Sequence, residues 1–173
     1  MTRFPLFALL LVSLLVPAAH AEAPDGEAGA AWVGTWHLDR DASDSVEPML
    51  AAMKTPWIVR KLAATMAPTM TITSLRHGGL RVVNENPIRK TDQEIFVDGV
   101  KRERLDPLDR KVVRSATWNA AGQLVVKNWN HVEEDDVVEV TSTWSLAGNT
   151  LEISNALERE DDAILIRRVF RKQ

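Results

Sequence analysis

The chain has no cysteine and no tyrosine among its 173 residues. Without cysteine there is no disulfide framework and no acylated lipoprotein anchor. No Asn-x-Ser/Thr sequon occurs. Basic residues are not in excess: 21 Lys and Arg stand against 24 Asp and Glu, which argues against a nucleic-acid binder. Beyond His20, the histidines His37, His77 and His131 lie on separate strands or turns, with no His-x-His or His-x-x-x-His spacing for zinc. The run Glu133 to Asp136 lacks the glycine-bearing loop that a calcium site needs, and reads as a solvated hairpin tip. There is no Gly-x-Ser-x-Gly, no glycine-rich phosphate loop and no nucleophile–base constellation. Nothing in the residues asks for a cofactor or metal, and no enzyme class is indicated.

After the first segment there is also no long apolar run. That segment, "MTRFPLFALLLVSLLVPAAHAEAPDG", has a basic residue in Arg3, an apolar run from Leu6 to Val16, and small residues spaced for cleavage at Ala19-His20-Ala21. It predicts a secretory signal peptide over residues 1–21, with the mature chain starting at Glu22. Only Arg3 is charged within it, so the mature chain keeps 20 basic and 24 acidic residues, a net charge of −4. Export without cysteines or sequons favours a bacterial periplasm over a eukaryotic secretory route, and the mature protein is expected to be secreted or periplasmic. Residues 22–30, small and polar, read as a flexible tail. Residues 31–173 are enough for one domain with one core.

That domain alternates short apolar runs with turn residues. "AWVGTWHLD" reads as the first strand. "DSVEPMLAAMK" and "TPWIVRKLAATM" read as two short helices, 44–53 and 56–66. Asp44 with Glu47 suggests a capping box, and Thr55-Pro56 an N-cap with an N1 proline. On the second helix Ile58, Val59, Leu62 and Met66 share one arc, suited to covering a core or a cavity mouth. Trp57, flanked by Arg60 and Lys61, falls on the opposite side, where a membrane surface could meet it. Nine further strands follow, joined by turns such as His77-Gly78-Gly79, Asp98-Gly99 and Ala147-Gly148-Asn149. Ten antiparallel strands with hairpin spacing mean a sandwich or an up-and-down barrel. In the last strand, "AILIRRVFRK", alternation puts Arg168 on the same face as Ile166 and Phe170. A guanidinium on a core face is costly without a partner. The six tryptophans include Trp118, Trp129 and Trp144, whose faces the sequence leaves open.

The order of these segments resembles the intracellular lipid-binding protein family, which includes the fatty-acid-binding proteins and retinoid carriers within the lipocalin-like calycin group. "WVGTWHLD" is similar to that family's opening strand, "RKLAATMAPTMTIT" to its second helix and following strand, "LDRKVVRSATWNAAGQLVVKNW" to its middle hairpin, and "RRVFRK" to its last strand. The resemblance runs from Ala31 to Lys172. It implies a ten-stranded antiparallel up-and-down β-barrel with a two-helix lid between the first and second strands, and Trp36 plugging its closed end. It implies a ligand carboxylate held by Arg168. The tyrosine that helps in the family falls on Phe170, and its second arginine falls near Thr143 or Trp144, neither of which is basic. The expected ligand-binding set is therefore Arg168, Phe170, Ile166, Thr143, Trp144, Ile58, Leu62 and Met66. The expected function is an exported, non-enzymatic carrier of a fatty acid or related amphipathic ligand, with transient membrane contact through Trp57, Arg60 and Lys61. A periplasmic protein-interaction module with no small ligand is the alternative. N-terminal sequencing of the exported protein is expected to begin at Glu22; a retained Met1 in a cytosolic fraction would count against export.

Overall fold

Strand alternation and glycine turns produce ten strands here, and a computed structural model of the chain shows how they close. It describes residues 27–76, 78–87, 89–106, 108–159 and 162–173. The expected leader therefore lies outside the described residues. The elements run α1 (Glu27–Trp32), β1 (Gly34–Asp39), α2 (Glu47–Ala52), α3 (Trp57–Thr65), β2 (Thr69–Ser74), β3 (Leu80–Glu85) and β4 (Lys90–Ile95). They continue with β5 (Arg102–Leu105), β6 (Lys111–Trp118), β7 (Leu124–His131), β8 (Val137–Ala147), β9 (Thr150–Arg159) and β10 (Asp162–Lys172). The strands form one antiparallel sheet in the order β4-β3-β2-β1-β10-β9-β8-β7-β6-β5. This is the expected up-and-down barrel with its helical lid between the first two strands. One side has no ladder: β4 and β5 are the two ends of the order. Side chains cross that seam instead. Arg114 on β6 donates Nη1–H to Gln93 Oε1 on β4 at 2.7 Å, and the Arg102 guanidinium lies 4.7 Å from the Phe96 ring centre.

The core splits into two. At the closed end, Trp36, Ile72, Val82, Leu124 and Leu151 are fully buried together with Trp144 and Phe170. Trp36 donates its indole N–H to the Trp32 carbonyl at 3.1 Å, and Trp32 meets Trp118 edge-on at 5.3 Å. A second cluster sits under the lid, where Met49 of α2 packs on Val132, Val138, Val140, Leu157 and Ile166. Trp129 lies outside the barrel, donating to Glu139 Oε2 at 2.8 Å and carrying the Lys101 ammonium 4.0 Å above its ring.

Three local readings change. Residues 27–32 form a helix, where tail and strand were expected; turning Trp32 into a helix end lets its ring reach Trp118 and its carbonyl reach Trp36. Asp44 caps no helix. Its carboxylate accepts from the Arg167 backbone N–H at 2.8 Å, and its own N–H donates to the Arg167 carbonyl at 2.8 Å, so it clips the loop before α2 to β10. Thr55 is buried, and α3 starts from Pro56 without a side-chain cap; the proline's fixed φ sets the entry.

The lid is held unevenly. Lys54 pairs with Glu133 at 2.6 Å and Asp136 at 2.9 Å on the β7–β8 turn, so that acidic tip is not merely solvated. Arg110 donates to the Met53 carbonyl at 2.8 Å. These ties hold the end of α2. No residue of α3 is buried, and Lys61 links it to Glu47 of α2 at 2.9 Å.

Gly79 shows where the turn chemistry is strict. Its φ is +112°, and an added Cβ would lie 2.4 Å from the Ile95 carbonyl oxygen. Gly122 has φ +71° and open space around it. Gly79→Ala is expected to lose ~2–3 kcal/mol and Gly122→Ala ~1 kcal/mol, since only the first adds a backbone clash to left-handed strain. Urea unfolding of both variants checks the ranking, and equal losses would refute it.

Candidate functional site

Between the closed end and the lid lies a cavity of about 900 Å³. Its lid side is apolar. Val59, Leu62 and Ala63 of α3 and Met66 at its C-cap line it, with Leu50 of α2, Met53 just after it, and Leu105 and Leu108 across the mouth, where the polar Asn86, Lys90, Asp106 and Arg110 complete the rim. Its floor is polar. Gln93, Arg104, Arg114, Asn128, Asn130, Ser142 and Asn155 line it from β4 through β9. A smaller recess of about 250 Å³ opens at the seam and shares Gln93, Arg104 and Arg114 with the main cavity.

Strand register explains the polar floor. Arg114 stands opposite Asn128, and Ser142 opposite Asn155. One residue level below, Ala116 faces Val126 inside the closed core. The polar groups satisfy one another in part, as buried groups must. Ser142 donates to Asn155 Oδ1 at 2.7 Å. Asn130 donates to the Val138 carbonyl at 3.2 Å. Arg114 donates Nε–H to Asn128 Oδ1 at 2.7 Å and Nη1–H to Gln93 Oε1.

Arginine charge is distributed unequally around the mouth and floor. Arg110 is held by Asp106 at 2.7 Å and Arg102 by Asp98 at 2.6 Å. Arg104 and Arg114 have no carboxylate partner among the described residues. Burial pushes the Arg114 guanidinium down to about 9, helped by repulsion from Arg104. Burial also lowers Arg104.

The expected ligand residues scatter. Leu62 and Met66 line the cavity. Ile58 does not; it is 69 % exposed, because Val59 and Ala63 set the inward stripe of α3 and turn Ile58 out. Phe170 and Trp144 are packed into the closed core below the cavity, and Ile166 into the cluster under α2. Thr143 alternates with the buried Ser142 and Trp144 and so belongs to the outer face. Arg168 is on the inner face as alternation requires, opposite Ile153. Yet it is not part of the cavity wall. Its Nε is sealed without a hydrogen-bond partner, and burial lowers its guanidinium while nearby Asp44 acts in the opposite direction. The resemblance drew attention to β10, half-way round the sheet from the seam. Arg114 was missed, although Val112-x-Arg114-x-Ala116 carries the same alternation that singled out Arg168.

An uncompensated charge on the floor has a stability signature. Below about pH 9 Arg114 is charged in the folded protein and bears its desolvation cost. Above that value the unfolded chain holds the proton and the folded one does not, so this group's contribution to stability rises with pH. The stability of the wild type relative to Arg114→Gln is therefore expected to rise as the pH passes about 9, where the folded protein sheds the desolvated charge. Melting curves of both proteins at several pH values check the sign; a difference that does not change with pH, or falls, would refute it.

No family model matches the sequence, and no curated protein matches it. Solved structures do match. Fatty-acid-binding protein 1 of Echinococcus granulosus superposes with a TM-score of 0.67 at 18% identity, covering 83% of this chain and 98% of its own. The fatty-acid-binding protein of Schistosoma mansoni, in complex with arachidonic acid, gives 0.71 at 14% identity, covering 84% and 98%. Secretory abundant heat soluble protein 4 of Ramazzottius varieornatus gives 0.66 at 15% identity, covering 83% and 95%. The chain therefore shares the barrel fold of fatty-acid-binding proteins along nearly their whole length.

Proposed function

We propose that this protein is a non-enzymatic carrier of a small amphipathic molecule, a fatty acid or related lipid, acting after export. The observation that carries the reading is the internal cavity of about 900 Å³ with an apolar lid side and a polar floor. That volume is within the ~300–1,000 Å³ range of small-molecule sites. Two ends of opposite polarity suit a ligand with a chain and a head. Burying some fifteen methylenes at ~0.8 kcal/mol each contributes ~12 kcal/mol. Lost freedom costs ~4 kcal/mol or more, leaving roughly micromolar affinity or better. The solved structures of this fold that bind fatty acids support the reading.

Native mass spectrometry of protein gently extracted from cells tests it. A copurified amphipath is expected. A barrel that is empty and takes up neither added fatty acid nor fatty alcohol would overturn the carrier and favour the protein-interaction module.

Delivery to a membrane is part of the same proposal. Trp57 and Ile58 are 63 % and 69 % exposed on α3, the less tethered helix of the lid. Lys61 is already paired with Glu47, and Arg60 is partly buried, so apolar contact outweighs charge at this face. Replacing Trp57 and Ile58 together by Ser is expected to slow ligand transfer to vesicles several-fold with equilibrium affinity unchanged. Fluorescent fatty-acid transfer at varied vesicle concentration checks this; equal rates would remove the membrane step.

A further inference from the structure

The floor of the cavity holds two positive charges that the protein itself does not neutralise. Arg104 and Arg114 come from neighbouring strands and line both the main cavity and the recess at the seam. In the register, Arg114 stands opposite Arg102 and Arg104 opposite Val112, so the two guanidiniums are diagonal neighbours on the inner face. Four of the carboxylates around them are committed elsewhere: Asp106 to Arg110, Asp98 to Arg102, Asp92 to Arg81 and Glu103 to Lys111. The fifth, Glu94, lines the recess but is exposed on β4, and it pairs with neither Arg104 nor Arg114.

The amides beside them are turned to donate. Gln93 and Asn128 give their carbonyl oxygens to Arg114. Each keeps an NH2 with no protein acceptor among the described residues. Arg114 uses two of its five N–H donors on these amides, and the Arg104 guanidinium makes no hydrogen bond among the described residues. On the cavity side the site thus offers free donors and two charges, while the carboxylates Asp92, Glu94 and Glu103 line the recess.

Resting on the carrier reading, we infer that this floor is an anion site for a phosphate monoester, the head group of an alkyl phosphate, seated between Arg104 and Arg114. A carboxylate brings one charge and two oxygens, and leaves one guanidinium uncompensated. A phosphate monoester brings about −1.5 to −2 charges at neutral pH and three acceptor oxygens. Bidentate guanidinium forks fit those oxygens. The chain then runs up from the floor toward Val59, Leu62 and Met66 under α3. The seam recess lets water reach the head, which lowers the cost of placing a dianion there.

Isothermal calorimetry with four probes tests this: dodecyl phosphate, dodecanoate, dodecanol and inorganic phosphate. Dodecyl phosphate is expected to bind about tenfold or more tightly than dodecanoate, since it gains further charge-assisted hydrogen bonds. Inorganic phosphate, without a chain, is expected to bind far more weakly. Arg114→Gln is expected to weaken dodecyl phosphate about thirtyfold while leaving dodecanol within about twofold. Arg104→Gln, at a less buried position, is expected to act in the same direction and serves if Arg114→Gln does not fold. Arg168→Gln is expected to leave dodecyl phosphate affinity unchanged. Dodecanoate binding as tightly as dodecyl phosphate would overturn the head-group assignment while the carrier stands. So would a loss confined to Arg168→Gln, which would move the site to β10. Inorganic phosphate matching dodecyl phosphate would overturn the amphipath and leave a site for a water-soluble phosphate. If none of the chain-bearing probes binds, the carrier reading falls and this inference with it.

Discussion

An antiparallel barrel is held by continuous backbone ladders, and this one has to close without its last ladder. β4 and β5 are both ends of the strand order. Closure therefore depends on side chains reaching across from either side, chiefly Arg114 to Gln93 and Arg102 to Phe96. Long cationic side chains can make that reach, and they bring charge to the inner wall as they do so. The polar floor of the cavity follows from the same requirement. The group that stitches the seam is the group with charge to spare. Structure and binding capacity are then coupled at one residue, and the desolvation cost of Arg114 is the cost of keeping the barrel closed around a site.

The wall opposite the seam has the converse character. β10 pairs along its whole length with β9 and along four residues with β1. The Asp44 carboxylate and the Ser43 hydroxyl accept from β10 backbone N–H groups at 2.8 and 2.9 Å. This wall is fully bonded, and Arg168 there is enclosed between two packed clusters. A guanidinium on an inner face therefore does not identify a ligand site by itself. What matters is whether the space beside it is packed or open, and that is decided by side chains from other strands.

That distinction sets what the sequence could reveal. Period-2 alternation and turn glycines are local, so strands such as "TLEISNALE" and the turn at Asp98-Gly99 were legible to within a residue or two. The inward side of β10 was legible for the same reason. The identity of the cavity wall was not, because it depends on which strands face an unfilled volume after α2 has packed Met49 onto Val138 and Leu157. Ile58 turns outward for a related reason: the apolar arc along α3 and its C-cap is wider than the strip that the cavity contacts. Asp44 showed a side chain serving tertiary structure where local propensity suggested a cap. Arg104 carried little signal, since "KRERL" alternates charge on both faces; Arg114, between Val112 and Ala116, carried a clear one.

The missing ladder also leaves two strand edges whose backbone groups face no neighbouring strand. Such edges invite foreign strands, and chains with free flat edges tend to polymerise. Here the edges are dressed against that. Lys90, Asp92 and Glu94 are exposed on β4, and Arg102 and Glu103 on β5. A strand docking on either edge would have to strip water from a row of alternating charges. β5 is also only four residues long, too short to template a long pairing. The opening at the seam is thus flanked by five charged side chains that disfavour edge-to-edge pairing between copies.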